Sequence, residues 1–182
     1  MKYSVSNTKK KVYIRRIVFV ISIMIFAMLQ NTPNMFPSII GANAILLVPL
    51  VCCISMFEND LTATFFGIFA GVLSDIVVSM GDGFNAVFYM FMASTISILI
   101  TYFMRNNLST ALLLCGCSIL LYTFLHWLFF VIFRGVEGGG ALFFSFYLPT
   151  AIYTFSFVPL IYFVLRTFLR NLRDKYVNKS RT

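Results

Sequence analysis

The segment ATFFGIFAGVLSDIVVSMGDGFNAVFY, residues 63–89, decides how this chain is read. Its first part is an apolar run of helix length in which small residues recur every four positions, at Ala63, Gly67 and Gly71, and a carboxylate, Asp75, takes the next position of the series. On a helix of about 3.6 residues per turn, a spacing of four drifts by only about 40°, so these residues share a face. Glycines there let a second backbone come close. That matters in a membrane, where lipid gives helices no hydrophobic reason to associate and van der Waals contact must hold them together. An Asp at mid-bilayer costs about 2.5–3.5 kcal/mol, so Asp75 is expected to face protein or a wet cavity and not acyl chains. The run breaks at Gly81, Asp82 and Gly83 and restarts at Phe84.

Composition places the rest of the chain around this segment. Of 182 residues 60% are hydrophobic and 11% charged, and the mean hydropathy is +0.90, far more apolar than one soluble core requires. An integral membrane protein follows. The net charge of +8 is segregated. Lys2, Lys9, Lys10, Lys11, Arg15 and Arg16 precede or open the first apolar run, and Arg166, Arg170, Arg173, Lys175, Lys179 and Arg181 close or follow the last. Such tails set topology and attract anionic lipids; no nucleic acid partner is expected, because no folded surface remains to present to one.

The alternation of apolar runs and breaks predicts an all-α polytopic protein of six transmembrane helices. They are Tyr13 to Gln30, Ala42 to Phe57 with a kink at Pro49, Leu61 to Met80, Phe84 to Met104, Leu108 to Phe133, and Ala141 to Leu169 with a bent start at Pro149 and Pro159. Residues 1–12 and 170–182 are then basic cytoplasmic tails, the first of them mobile, flanking a transmembrane domain of residues 13–169. The first apolar run lacks a small-x-small cleavage site and is kept as a mature helix. The stretch Asn31 to Gly41, with Pro33 and Pro37, reads as an outer loop or a short re-entrant piece. Glu58, Asn59 and Asp60 form a polar turn expected to cap the helix that follows. Six crossings with both ends inside leave Arg134 alone among 14 basic residues on the outer side, as the positive-inside rule requires.

Within GIFAGVLSDIVVSMGDGFNAVFY, residues 67–89, the series Gly67, Gly71, Asp75, Gly83, Ala86 and Tyr89 resembles the pattern of the rod shape-determining protein MreD family. Size, six-helix topology, basic tails and the late Leu148–Pro149 pair agree with it, and Asp82 departs from it. The resemblance implies a non-enzymatic scaffold in the bacterial inner membrane that serves the machinery building the lateral wall. The implied partners are an MreC-like bitopic protein, the RodA glycosyltransferase with its transpeptidase partner, and cytoplasmic MreB filaments. The family is similar in fold to the substrate-binding subunits of energy-coupling-factor transporters, which supplies the alternative of a vitamin or small-solute carrier. Against that alternative, the first apolar run is bulky where those subunits present small residues.

No cofactor, metal or catalytic residue is expected. Cys52 with Cys53 and Cys115 with Cys117 lie in apolar runs without metal-ligand spacing. One histidine, His126, precludes HExxH zinc chemistry; no GxSxG elbow is present, and Gly81-Asp82-Gly83 does not fit the GxGD setting of an aspartyl intramembrane protease. His126 reads as a hydrogen-bonding packing residue. The candidate residues for helix packing or partner binding are Gly67, Gly71, Asp75, Asp82, Gly83, Asn85 and Tyr89, with the glycine loop near Gly138 as a further partner surface. For the glycines, an internal crossing is the first expectation and a foreign helix the second. Asp75 is read as an acceptor for hydroxyls or amides of a neighbouring helix, as an end-of-helix residue reaching headgroups, or as a proton or ligand site, and Arg134 is its candidate ionic partner.

Overall fold

The computed structural model describes the backbone of residues 2–32, 44–77, 83–135 and 139–178, with side chains described for 12–32, 44–76, 83–135 and 139–171. Among the described residues the chain is all-helical, with no strand. In order the helices are α1 (Lys2–Asn31), α2 (Leu47–Ser55), α3 (Asp60–Val77), α4 (Phe84–Tyr102), α5 (Leu108–Trp127), α6 (Gly139–Leu142), α7 (Leu148–Ser156) and α8 (Val158–Asn178). Two π-helical stretches, Leu128–Ile132 and Phe143–Tyr147, extend α5 and link α6 to α7. Among the described residues four helical segments are long and apolar enough to cross a membrane: Val12–Asn31, Phe84–Tyr102, Leu108–Ile132 and Gly139–Asn171. Exposed Phe65, Phe91, Leu121 and Val164 cover the outside, as for a bundle solvated by lipid.

The first helix is longer than its apolar run. The basic stretch before Tyr13 continues the helix back to Lys2. It contains neither Gly nor Pro, and lysine is a good helix former.

The second helix corrects one expectation. In place of a span over residues 42–57, α2 is a piece of 9 residues, about 14 Å long, in which every residue is buried. Pro49 sits in its first turn, where the missing amide hydrogen would have had no intrahelical partner, so it needs no kink. Amides entering this helix are satisfied from a distance. The Ile45 amide donates to Thr154 Oγ1 at 3.0 Å and the Leu47 amide to Gln30 Oε1 at 3.1 Å. Surrounded by α1, α3, α4, α5 and α8, α2 is the axis of the bundle. Its Cys52 and Cys53 pack against Cys115 of α5, where they serve as small buried hydrophobes.

One end of the bundle is closed by polar bonds. Arg15 Nε lies 2.6 Å from Glu58 Oε1, whose side chain is 1% exposed, and an Arg16 guanidinium nitrogen donates to Thr62 Oγ1 at 3.1 Å. Asp60, read as a cap for its own helix, instead accepts from the Ser97 hydroxyl of α4 at 2.7 Å. Asn106 joins three elements, donating to the Met56 carbonyl at 2.7 Å and accepting from Tyr162 of α8 at 3.3 Å. The polar turn at Glu58 therefore does long-range work: Coulomb attraction and hydrogen bonds tie α1, α3, α4 and α8 where burial alone would let them slide.

The final apolar run is segmented, as its prolines imply. A π-helical stretch precedes Pro149 in the first turn of α7, and Phe157 separates α7 from α8, with Pro159 in the first turn of α8. Both prolines occupy positions where no amide hydrogen is needed. Asn31 to Gly41 lies outside the described residues beyond Thr32.

The buried ion pair has an asymmetric consequence. Without Glu58, Arg15, which is 30% exposed, can extend to headgroups; without Arg15, Glu58 is left buried without its ionic partner. Arg15→Ala is therefore expected to lower the thermal midpoint in detergent by roughly 5–10 °C, and Glu58→Gln by less than half of that. Equal losses would show that Arg15 has no such escape.

Candidate functional site

The hairpin of α3 and α4 is the most extensive helix pairing in the bundle. Gly67 and Gly71 are buried in it, with Ala63 and Ala70 at 0% exposure, while Leu61, Phe65 and Ile76 on the opposite side are exposed. The small residues thus face protein and the bulky ones face the membrane side. A Cβ at Gly67 would run into the Tyr89 carbonyl and come within 2.8 Å of Ala93 Cβ. At Gly71 it would strike the Ala86 backbone and stand 2.5 Å from the Asn85 carbonyl oxygen. The glycines are spent on an internal crossing, backbone against backbone, with Tyr89 buried beside it.

Asp75 closes the top of the same crossing. Its Oδ1 accepts from the Asn85 amide at 3.2 Å and its Oδ2 from the Ala86 amide at 2.9 Å. These amides belong to the first turn of α4, which has no intrahelical acceptors to offer them. A carboxylate there also meets the positive end of the α4 dipole. Gly83 makes this start possible: with φ +67 it takes the left-handed conformation that turns the chain into the helix. The partners of Asp75 are therefore amides, where Arg134 was considered; the Arg134 guanidinium lies 4.9 Å above the Phe130 ring.

From this cap a polar path crosses the bundle. Buried Asn85 accepts at Oδ1 from the Tyr122 hydroxyl of α5 at 2.8 Å. The Tyr122 ring packs edge-on to Phe88 at 5.2 Å and lies 5.8 Å from His126. His126 stacks on Phe130 at 4.4 Å, and its Nδ1 is 3.2 Å from the Tyr147 hydroxyl in the second π-helical stretch. Phe84 is the hub of this aromatic cluster, with ring contacts to Phe88, Tyr122, His126, Phe129 and Phe130 between 5.5 and 6.2 Å. Beside it Trp127 Nε1 donates to the Gly139 carbonyl at 2.8 Å, pinning the end of α5 to the start of α6.

Of the residues singled out by sequence, Gly67, Gly71, Asp75, Gly83, Asn85 and Tyr89 converge on one crossing. Asp82 and the glycine loop at Gly138 lie outside the described residues. Phe84, Tyr122 and Tyr147 were not anticipated, since an aromatic in an aromatic-rich chain gives no pattern; only the polar interruptions Asn85 and His126 marked the neighbourhood. Among the described residues no three metal-ligating side chains come together. With both carboxylate oxygens of Asp75 and the Nδ1 of His126 engaged in hydrogen bonds, the arrangement positions helices.

Steric and capping roles separate by mutation. Gly71→Ala places a Cβ onto backbone and is expected to cost about 2–3 kcal/mol, whereas Gly116→Ala, 3.2 Å from the far end of a flexible Phe155 ring, stays within about 1 kcal/mol. Asp75→Asn, which keeps one acceptor, should cost about 1 kcal/mol and Asp75→Ala about 2 kcal/mol. Unfolding of the purified chain in detergent measures all four. An Asp75→Ala variant as stable as the parent would remove the cap from this account.

Comparison with known proteins finds no relative by which to place the chain: no family model, no curated protein and no solved structure matches it.

Proposed function

We propose that this chain is a non-enzymatic scaffold of the bacterial inner membrane, serving the wall-elongation machinery in the manner of the MreD family that its sequence resembles. The observation that carries this reading is the hairpin itself. The residues bearing the resemblance, Gly67, Gly71, Asp75, Gly83, Ala86 and Tyr89, are used together for one purpose, the close crossing and capping of α3 on α4. A motif devoted to fixing two helices belongs to a protein whose function is its shape. Binding free energy then acts by biasing the conformations of partners. In this reading α3 and the chain around α2 supply two crossings besides the four long apolar segments, and both basic ends are cytoplasmic. The partners are a bitopic MreC-like protein and, through it, RodA with its transpeptidase and MreB.

Affinity isolation from native bacterial membrane tests this. A tagged chain is expected to bring down a bitopic protein with a periplasmic domain together with a wall glycosyltransferase. Gly71→Leu should lower that recovery at least tenfold, because it drives the hairpin apart. Recovery of an ATP-driven coupling module in their place would move the chain to the solute-carrier class.

A further inference from the structure

Helices α4 and α5 are joined by the short turn 103–107, yet they meet only sparsely, because buried α2 packs against both and holds them apart. The seam left between them is an apolar groove of about 500 Å³. Its floor includes Met92, Ile96 and Leu114, each under 8% exposed, and its rim includes Phe91 and Leu121, each more than half exposed. At this size it falls within the range of ordinary ligand sites. Since the seam opens along two membrane-length helices, something from the bilayer fills it.

The walls favour a flexible chain over a helix. Helices dock in membranes through small residues that let backbones approach, and the regular small-residue stripe of this hairpin is already consumed by the α3–α4 crossing. The seam instead presents Phe84, Phe88, Phe91 and Phe129, bulky rings between which a polymethylene chain can bend.

Charge fixes the end at which a headgroup sits. Between Phe84 and Phe133 the one ionised side chain is Arg105, on the turn that closes the seam. Asn106, bonded to Met56 and Tyr162, anchors that turn on its protein side and leaves Arg105 exposed, with no acidic partner among the described residues. Tyr102 and Phe103 beside it are 71% and 79% exposed, the placement of interfacial aromatics. We infer that the α4–α5 seam holds an acyl chain of an anionic phospholipid whose phosphate is bound by Arg105. Basic positions between helix ends are suited to such headgroups, and the inference stands independently of any role in wall assembly.

Cys117 makes the seam addressable. It lines the groove and is exposed, whereas Cys52, Cys53 and Cys115 are buried, so a benzophenone maleimide should label it selectively. The full-length chain, labelled and irradiated in phosphatidylcholine vesicles doped with phosphatidylglycerol, is expected to carry lipid-mass adducts enriched in phosphatidylglycerol over the bulk ratio. Arg105→Gln should lower that enrichment about fivefold without lowering total adduct yield, and Arg105→Lys should retain most of it. Unchanged enrichment in Arg105→Gln, adducts at the bulk lipid ratio, or no lipid adduct would overturn the assignment. So would a protein-sized adduct formed at residue 117 in native membranes, which would mean a helix occupies the seam. Unaltered thermal midpoints for both variants show that the comparison is made on folded protein.

Discussion

The close approach of the α3 and α4 backbones governs this structure. At Gly67 and Gly71 there is no room for even a methyl group, and immediately above them Asp75 supplies the acceptors that the first turn of α4 lacks. The two effects need each other. Without the glycines the carboxylate would stand too far from the amides to cap them; without the cap, polar hydrogens at the start of a membrane helix would go unsatisfied, at several kcal/mol for each such group in hydrocarbon. A charge that is costly in lipid becomes favourable because it sits at the positive end of a helix and against protein.

The polar groups elsewhere follow the same logic of local satisfaction at a distance. Glu58 is paired by Arg15 from α1, Asp60 by Ser97 from α4, and Asn106 by groups from two elements. At the other end, Asn85, Tyr122, His126 and Tyr147 link α4, α5 and the stretch before α7. Where apolar contacts are non-directional, these bonds set the register of one helix against the next.

Much of this was legible in the residues. The spacing of Ala63, Gly67, Gly71 and Asp75 marked a docking face, because a period of four on a helix leaves few other meanings. The prolines at 149 and 159 marked the segmentation of the last run. What was not legible came from tertiary context. Pro49 looked like a kink because sequence does not show where α2 begins, and Asp60 looked like a cap for its own helix because Ser97 lies 37 positions away. The pairing of Asp75 with amides in place of a cation depended on the geometry of a turn that charge arithmetic ignores. The aromatic hub at Phe84 was hidden among 22 phenylalanines.

The short, wholly buried α2 bears on how the chain is made. At about 14 Å it cannot bridge a bilayer unaided, and the side chains that receive its leading amides lie both upstream, at Gln30, and far downstream, at Thr154. The α3–α4 hairpin can close as soon as both its arms have left the ribosome, since its bonds are local. α2, by contrast, acquires its last partner only once Thr154, 109 positions beyond Ile45, has been synthesised. Biogenesis is thereby divided into an early hairpin and a late axis, and the interval between them is when the nascent chain most needs an insertase or chaperone at its side.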